Sequence, residues 1–310
     1  MRQLTNTILM IRPVRFRMNE QTAVNNYFQT ELSASDKLIN EKAQKEFDQF
    51  AEKLRAVGVN VVVVDDIEAQ DTPDSIFPNN WVSFHENGNI ALYPMFAENR
   101  RRERREDILE TLEESGLAIE NVYDYTEAEE EGVFLEGTGS MVLDRVNRKA
   151  YCALSPRADE DLFIEFCEDF EFTPVIFKAF QAVDGNQELI YHTNVMMAVG
   201  DTLAVVCTES IADKKERKAV VEHLKSDGKE ILTISAAQMH RFAGNMLQVL
   251  GADNQPYWVM SQAAYNSLRP EQIATIEKHA PIIYADLETI ETCGGGSARC
   301  MLAEVFLPKL

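Results

Sequence analysis

Paired cysteines, long apolar runs and excess positive charge are all missing from this 310-residue chain. Its five cysteines, Cys152, Cys167, Cys207, Cys293 and Cys300, are odd in number and include no CxxC pair. That argues against both a disulfide framework and a zinc knuckle, and it fits the reducing cytoplasm. With 30 Lys and Arg against 51 Asp and Glu, the formal charge is -21 at pH 7. Nucleic acids and anionic membranes need clustered cations to displace counterions, so neither is an expected partner and a small molecule is. No stretch reaches the length of a membrane span, and Met1 to Asn6 leads into the strand-like Ile8-Leu9-Met10-Ile11 rather than a secretion signal. Linkers rich in Pro, Ser or Gly are lacking too, so residues 1–310 are expected to form a single domain.

Hydrophobic residues make up 45% of the chain, enough for a sizeable core. Short β-rich runs recur, among them Val59 to Val64, Ile90 to Tyr93, Val133 to Leu135, Ala150 to Leu154, Val175 to Phe180, Ile231 to Ile234 and Cys300 to Leu307. Between such runs the spacing predicts helices over Ser35 to Val57, Arg101 to Ser115, Asp159 to Asp169, Lys214 to Ser226, Ala236 to Phe242 and Pro270 to His279. Hairpins are expected at Gly200-Asp201 and around Glu86 to Asn89. The fold class is therefore mixed α/β, and strand pairs followed by a helix hint at repeated ββαβ units. The basic run Arg100 to Arg105 is followed by Glu106, Asp107, Glu110, Glu113 and Glu114, which reads as a solvated helix with i,i+4 ion pairs.

Chemistry concentrates in a few segments. Cys293-Gly294-Gly295-Gly296-Ser297-Ala298-Arg299-Cys300 puts three glycines ahead of a cysteine that opens an apolar run. Glycines permit positive φ and close approach of another molecule, so Cys300 reads either as a presented thiol or as an ordinary buried cysteine. His192, in Tyr191-His192-Thr193-Asn194, stands at the entrance to a hairpin, where a side chain can face a cleft. His85, His223 and His279 read as solvent-facing, and His240 is the rival. Glu136 follows Val133-Phe134-Leu135 and precedes Gly137-Thr138-Gly139-Ser140, either as a turn cap or as a carboxylate aimed into a pocket. Asp74-Ser75-Ile76-Phe77-Pro78-Asn79-Asn80-Trp81 reads as a turn through its Pro and Asn chemistry.

In this order, and across most of the chain, Asp74 to Trp81, Leu135-Glu136-Gly137, His192-Thr193-Asn194 and Gly294-Gly295-Gly296 with Cys300 resemble one superfamily. It is the guanidine-modifying superfamily of arginine deiminases, dimethylarginine dimethylaminohydrolases, succinylarginine dihydrolases and amidinotransferases. Its branch of bacterial citrulline-utilisation hydrolases is the most similar. The resemblance implies a five-fold pseudosymmetric α/β-propeller (pentein) of ββαβ modules around a polar pocket, working without metal or cofactor. It also implies that Cys300 is the nucleophile, His192 the general acid/base and Glu136 the accompanying acid. Asp74 and Asn80 fall where relatives present a carboxylate to a guanidinium, Arg157 resembles the residue that holds the substrate's α-carboxylate, and Asn245 resembles pocket support.

Two departures bear on the substrate. Relatives acting on guanidinium groups commonly carry Asp where this chain has Asn80 and Asn194. A carboxylate only accepts hydrogen bonds, whereas an amide donates as well, and an uncharged ureido group presents a carbonyl oxygen that needs a donor. Leaving that oxygen unpaired costs about 1–3 kcal/mol. The expected reaction is therefore hydrolysis of a ureido or guanidino C–N bond, above all citrulline to ornithine, ammonia and carbon dioxide. In it, a Cys300 thiolate beside a His192 imidazolium forms a covalent intermediate. Alternatives are an arginine deiminase or dihydrolase, an amidinotransferase, and a non-catalytic amino-acid-binding propeller. The plainer account of Asn80 and Asn194 is that they shape turns, and homo-oligomerisation is left open.

Overall fold

A strand hairpin, a helix and a third strand recur through the computed structural model, which describes residues 2–310. Val82–Phe84 pairs antiparallel with Asn89–Leu92, and after the helix Glu106–Glu114 the strand Asn121–Asp124 joins in parallel. Met141–Asp144, Lys149–Ala153 and Thr173–Phe177 repeat the arrangement around the helix Glu160–Asp169. Met197–Val199, Leu203–Val206 and Glu230–Thr233 repeat it around Lys214–Ser226. Leu247–Leu250, Pro256–Ser261 and Ile282–Ala285 do so around Pro270–His279. In the remaining sheet the lead strand is Ala303–Glu304, which pairs antiparallel with Thr7–Arg12, itself parallel to Asn60–Asp65 across the helix Asp36–Ala56. A further hairpin pairs Phe180–Val183 with Asn186–Leu189. Among the described residues the sheets stay separate and do not close into a hydrogen-bonded barrel.

Periodicity explains why these residues form these elements. The helix Asp36–Ala56 buries Ile39, Ala43, Phe47, Phe50, Ala51 and Leu54, a stripe at helical spacing, and Ser35 Oγ caps it by accepting from Leu38 N at 3.4 Å. Leu203–Val206 is buried along its whole length, as befits a middle strand covered on both faces. Parallel neighbours need a crossover, and each of the helices just described supplies one.

Several expected elements differ. Val133 to Leu135 forms no strand, only an isolated bridge from Leu135 to Ala158, because Glu136 turns the chain at once. Val175 to Phe180 is divided between two strands. Cys300 does not open a strand: Ala298–Met301 is a short 3-10 turn, and the strand begins only at Ala303. The helix expected from Arg101 begins at Glu106.

Candidate active site

Each of the five three-stranded sheets is entered through a tight turn, and these turns meet. Pro78–Asn80 leads into Val82–Phe84, Gly137–Ser140 into Met141–Asp144, and Thr193–Val195 into Met197–Val199. A hydrogen-bonded turn ending at Asn245 leads into Leu247–Leu250, and Ala298–Met301 into Ala303–Glu304. Together they gather Asn80, Glu136, His192, Asn194, Asn245 and Cys300, none more than 2% exposed. The glycine run serves this packing. Gly295 ends the helix Glu288–Gly294 in the left-handed region, at φ 61°, and a Cβ on Gly296 would sit 2.9 Å from the Phe77 ring.

Cys300, His192, Asp74, Asn80 and Arg157 line one cavity with Asn26, Phe77, Arg100 and Tyr191. His192 Nε2 is 2.8 Å from Glu136 Oε2, while Glu136 Oε1 accepts from Phe96 N at 3.0 Å. Cys300 Sγ lies 3.2 Å from Asn245 Nδ2 and 3.5 Å from Asn194 Nδ2. Arg100 Nη1 donates to Asn80 Oδ1 at 2.8 Å and its other nitrogens grip Glu103 twice at 2.9 Å. With Oδ1 committed, Asn80 turns its NH2 the other way, toward Asn79 Oδ1 at 3.2 Å.

Charge here is largely cancelled. Burial alone would raise Glu136, but Arg157 at 3.5 Å, the His192 hydrogen bond and Arg100 at 3.9 Å outweigh it and hold the carboxyl well below its usual range. For His192, burial wins over the raising effect of Glu136 and takes the ring down to about 4, so it is neutral near pH 7. Burial opposes the Arg100 charge, yet Glu103, Asp74 and Glu136 push that guanidinium up. Asp74 is raised by burial against the pull of Arg100. Its Oδ2 accepts from Asn19 and Thr22, but its buried Oδ1 has no partner.

A cover closes the cavity. Asn26 Nδ2 reaches Gly294 O at 3.3 Å, Gln29 Nε2 reaches Cys293 O at 3.0 Å, and Thr30 N bonds Thr292 O at 2.7 Å. Arg157 Nε and Nη2 hold Asn25 Oδ1 at 2.8 and 2.5 Å, and Nη2 also meets Thr22 O at 2.8 Å. The space left is about 10 Å³, room for about one water and less than a bound amino acid fills. A wider depression of about 370 Å³ next to the cover, lined by Phe28, His240, Arg241 and Glu291, holds no nucleophile.

All eight residues that the resemblance singled out converge: five line the cavity, Glu136 backs His192, and Asn194 and Asn245 touch Cys300. The sulfur's hydrogen-bond partners are amides rather than the expected imidazolium, because His192 is neutral and engaged by Glu136. Two expectations are corrected. The run from Arg100 is not a solvated helix: Arg100 is 2% exposed, Arg105 is 7% exposed, and Arg104 grips Glu129 at 2.5 and 3.0 Å. Arginine forks match carboxylates inside the protein, and five arginines without a lysine were the available signal. His85 is not solvent-facing either. It is 1% exposed, 2.9 Å from Ser83 Oγ, and its ring lies 4.1 Å from that of Phe170 at a tilt of 31°. Cys293, buried in the helix Glu288–Gly294, does not line the cavity although the next residue, Gly294, does, and His240 lies outside it too. Sequence reasoning missed Arg100, Glu103, Asn25, Asn26 and Tyr191.

A family model described as N,N dimethylarginine dimethylhydrolase, eukaryotic, matches residues 12–307. No curated protein matches the chain significantly. Among solved structures, ArgZ, an arginine dihydrolase from the ornithine-ammonia cycle in cyanobacteria, is similar with a TM-score of 0.73 and 16% identity, over 98% of this chain and 41% of that one. The chain thus spans less than half of ArgZ, but 97% of its N-terminal domain in a substrate-bound structure, at TM-score 0.70 and 16% identity over 96% of this chain. A dimethylarginine dimethylaminohydrolase adduct with S-methyl-L-thiocitrulline gives 0.62 and 14%, covering 97% of this chain and all of that one. These likenesses establish a mixed α/β fold shared with those enzymes. The chain belongs to the N,N-dimethylarginine dimethylhydrolase family.

Proposed function

We propose that the protein hydrolyses the ureido group of citrulline, giving ornithine, ammonia and carbon dioxide through a covalent intermediate on Cys300. The observation that carries this reading is a pocket whose carboxylates are already paired. Glu136 answers Arg157 and Arg100, and Glu103 answers Arg100, while amides stand at positions 80 and 194. A cationic guanidinium finds no free carboxylate there except Asp74 Oδ1. An uncharged ureido group needs none, which leaves Asp74 to accept the substrate's α-ammonium and Arg157 to exchange Asn25 for its α-carboxylate.

In the reaction, Cys300 attacks the ureido carbon as its S–H proton passes to neutral His192, and the C–O electron pair moves to oxygen. The Asn80 NH2 is the donor for that oxygen as it gains charge. Collapse expels the departing nitrogen, which takes the proton from His192. Glu136 orients and stabilises the imidazolium between the two transfers. Water, deprotonated by His192, then attacks the S-carbamoyl carbon, the thiolate leaves, and the released carbamate breaks down to amine and carbon dioxide.

We also propose that residues 1–310 form one catalytic domain, a five-fold pseudosymmetric α/β-propeller, in the cytoplasm. The five similarly built sheets and five free cysteines support this. A second reading, arginine as the starting substrate, is favoured by the unpartnered Asp74 Oδ1, which could face a guanidinium instead. Ammonia release from citrulline, arginine, agmatine and succinylarginine, together with dimethylamine release from dimethylarginine, decides between them. Citrulline should be turned over with the highest kcat/KM. A strong preference for arginine or dimethylarginine, with citrulline inert, would overturn the proposal.

A further inference from the structure

The two amides at the Cys300 sulfur are not equivalent. Asn245 Oδ1 accepts from Arg299 N at 3.0 Å, and this fixes which way the amide is turned. Its NH2 must then point away, with Nδ2 3.0 Å from Asn194 O and 3.2 Å from Cys300 Sγ. Asn194 is more adaptable. Its Nδ2 reaches Thr138 O at 3.2 Å and Sγ at 3.5 Å, and its Oδ1 lies 3.8 Å from Sγ as acceptor for the S–H proton. The protonated thiol therefore has an acceptor in Asn194, and the ionised sulfur has a fixed donor in Asn245.

We propose that Asn245 is a catalytic residue whose side-chain NH2, locked in place by the backbone N–H of Arg299, stabilises the Cys300 sulfur as the thiolate that forms when its proton passes to His192. The inference rests on Cys300 being the nucleophile, as read above. It assigns to a neutral amide the role usually given to a histidine cation, which here is engaged with Glu136. A neutral donor stabilises the anion without adding a positive charge beside an incoming amino acid. Arg299 directly precedes Cys300, so the same side chain ties the sulfur's backbone turn to the sulfur itself.

The test is the pH dependence of Cys300 alkylation by iodoacetamide, followed at that residue by peptide mass spectrometry in wild type, Asn245→Asp and Asn245→Ala. Asp keeps an acceptor for Arg299 N but replaces the donor with an anion. The alkylation midpoint should rise by about one pH unit or more, equal to about tenfold slower labelling at a fixed pH below it. At pH 7, kcat should fall at least about tenfold with little change in KM, and part of the loss should return at high pH. A loss equal at every pH, or an unchanged midpoint in folded variants, overturns the proposal. Cys300→Ser separates this from the broader reading. If that variant still turns over substrate, the nucleophile assignment falls. If it is dead while the Asn245 variants titrate like wild type, only the role of Asn245 falls. Should neither Asn245 variant fold, selective ¹⁵N-asparagine labelling of the wild type decides. The Asn245 side-chain amide signals must move over the pH interval in which Cys300 becomes reactive, and static signals overturn the proposal.

Discussion

Protonating His192 works against the folded state. Its folded pKa, about 4, lies below the ordinary 6.5, so between those values the unfolded chain binds more protons and stability falls as the pH drops. The loss from this ring is on the order of 3 kcal/mol across the window. Burial holds His85 low as well and adds to the same slope. Glu136, also depressed, contributes stability that is present above the ordinary carboxylate value and is lost as the pH falls through it, so it adds to the same slope only at the acid end of this window. Glu103 and Glu291, raised by burial to about 8 and about 7, take up protons in the folded state and oppose this slope, so the test is the difference between proteins: from pH 7 to pH 4.5 the urea midpoint of wild type should drop relative to that of His192→Asn, and parallel slopes would refute the assignment. For Cys300→Ser, turnover should vanish while circular dichroism and the melting temperature stay near wild type. For Asn80→Asp, the second oxygen would take the place of the NH2 and meet Asn79 Oδ1, now 3.2 Å away, so kcat/KM should shift toward guanidines by about tenfold or more. An unchanged ratio of arginine to citrulline turnover would count against the part given to Asn80.

At the scale of elements, the turn Gly137–Ser140 sets the spacing between Asn80 and His192. A Cβ on Gly139 would stand 2.4 Å from Asn80 Nδ2 and 2.8 Å from the His192 ring. Gly139→Ala should cost about 1–3 kcal/mol and, by displacing both side chains, at least about tenfold in kcat; denaturant midpoints and steady-state rates check the two effects. Helices were the most legible elements. Lys214–Ser226 and Pro270–His279 match their expected bounds, because caps and apolar stripes are local signals. The short turns before the strands were harder to read, and Cys300 was placed on a strand for that reason. Its 3-10 turn is tied to Asn245, whose Oδ1 accepts from Arg299 N across the fold, a contact that adjacent residues do not encode. Residue identities at the pocket were readable because four segments, taken in order, resemble those of a guanidine-modifying superfamily, whereas each alone reads equally well as a turn or a buried side chain. Arg100 was not, since five arginines without a lysine hint at buried forks but do not show which member is buried or that Glu103 is its partner. Nor was the cover, because Asn25 and Asn26 gain meaning only from Arg157 and Gly294 across the fold.

For the whole molecule, a formal charge of -21 sets up self-repulsion that the folded state concentrates. Raising the salt from about 10 mM to about 150 mM shortens the screening length from about 30 Å to about 8 Å. The melting temperature at pH 7 should rise by a few degrees over that change, and a fall would mean that attractive ion pairs dominate instead. The entry turns have a wider consequence. Because each comes from a different sheet, no fragment holding four of the five sheets owns a working centre, and partial opening of any one sheet silences the chemistry while most of the backbone remains folded. Enzymatic rate is then a more sensitive gauge of native integrity than any spectroscopic average over the chain, and inactivation in mild denaturant should run ahead of the loss of helical signal.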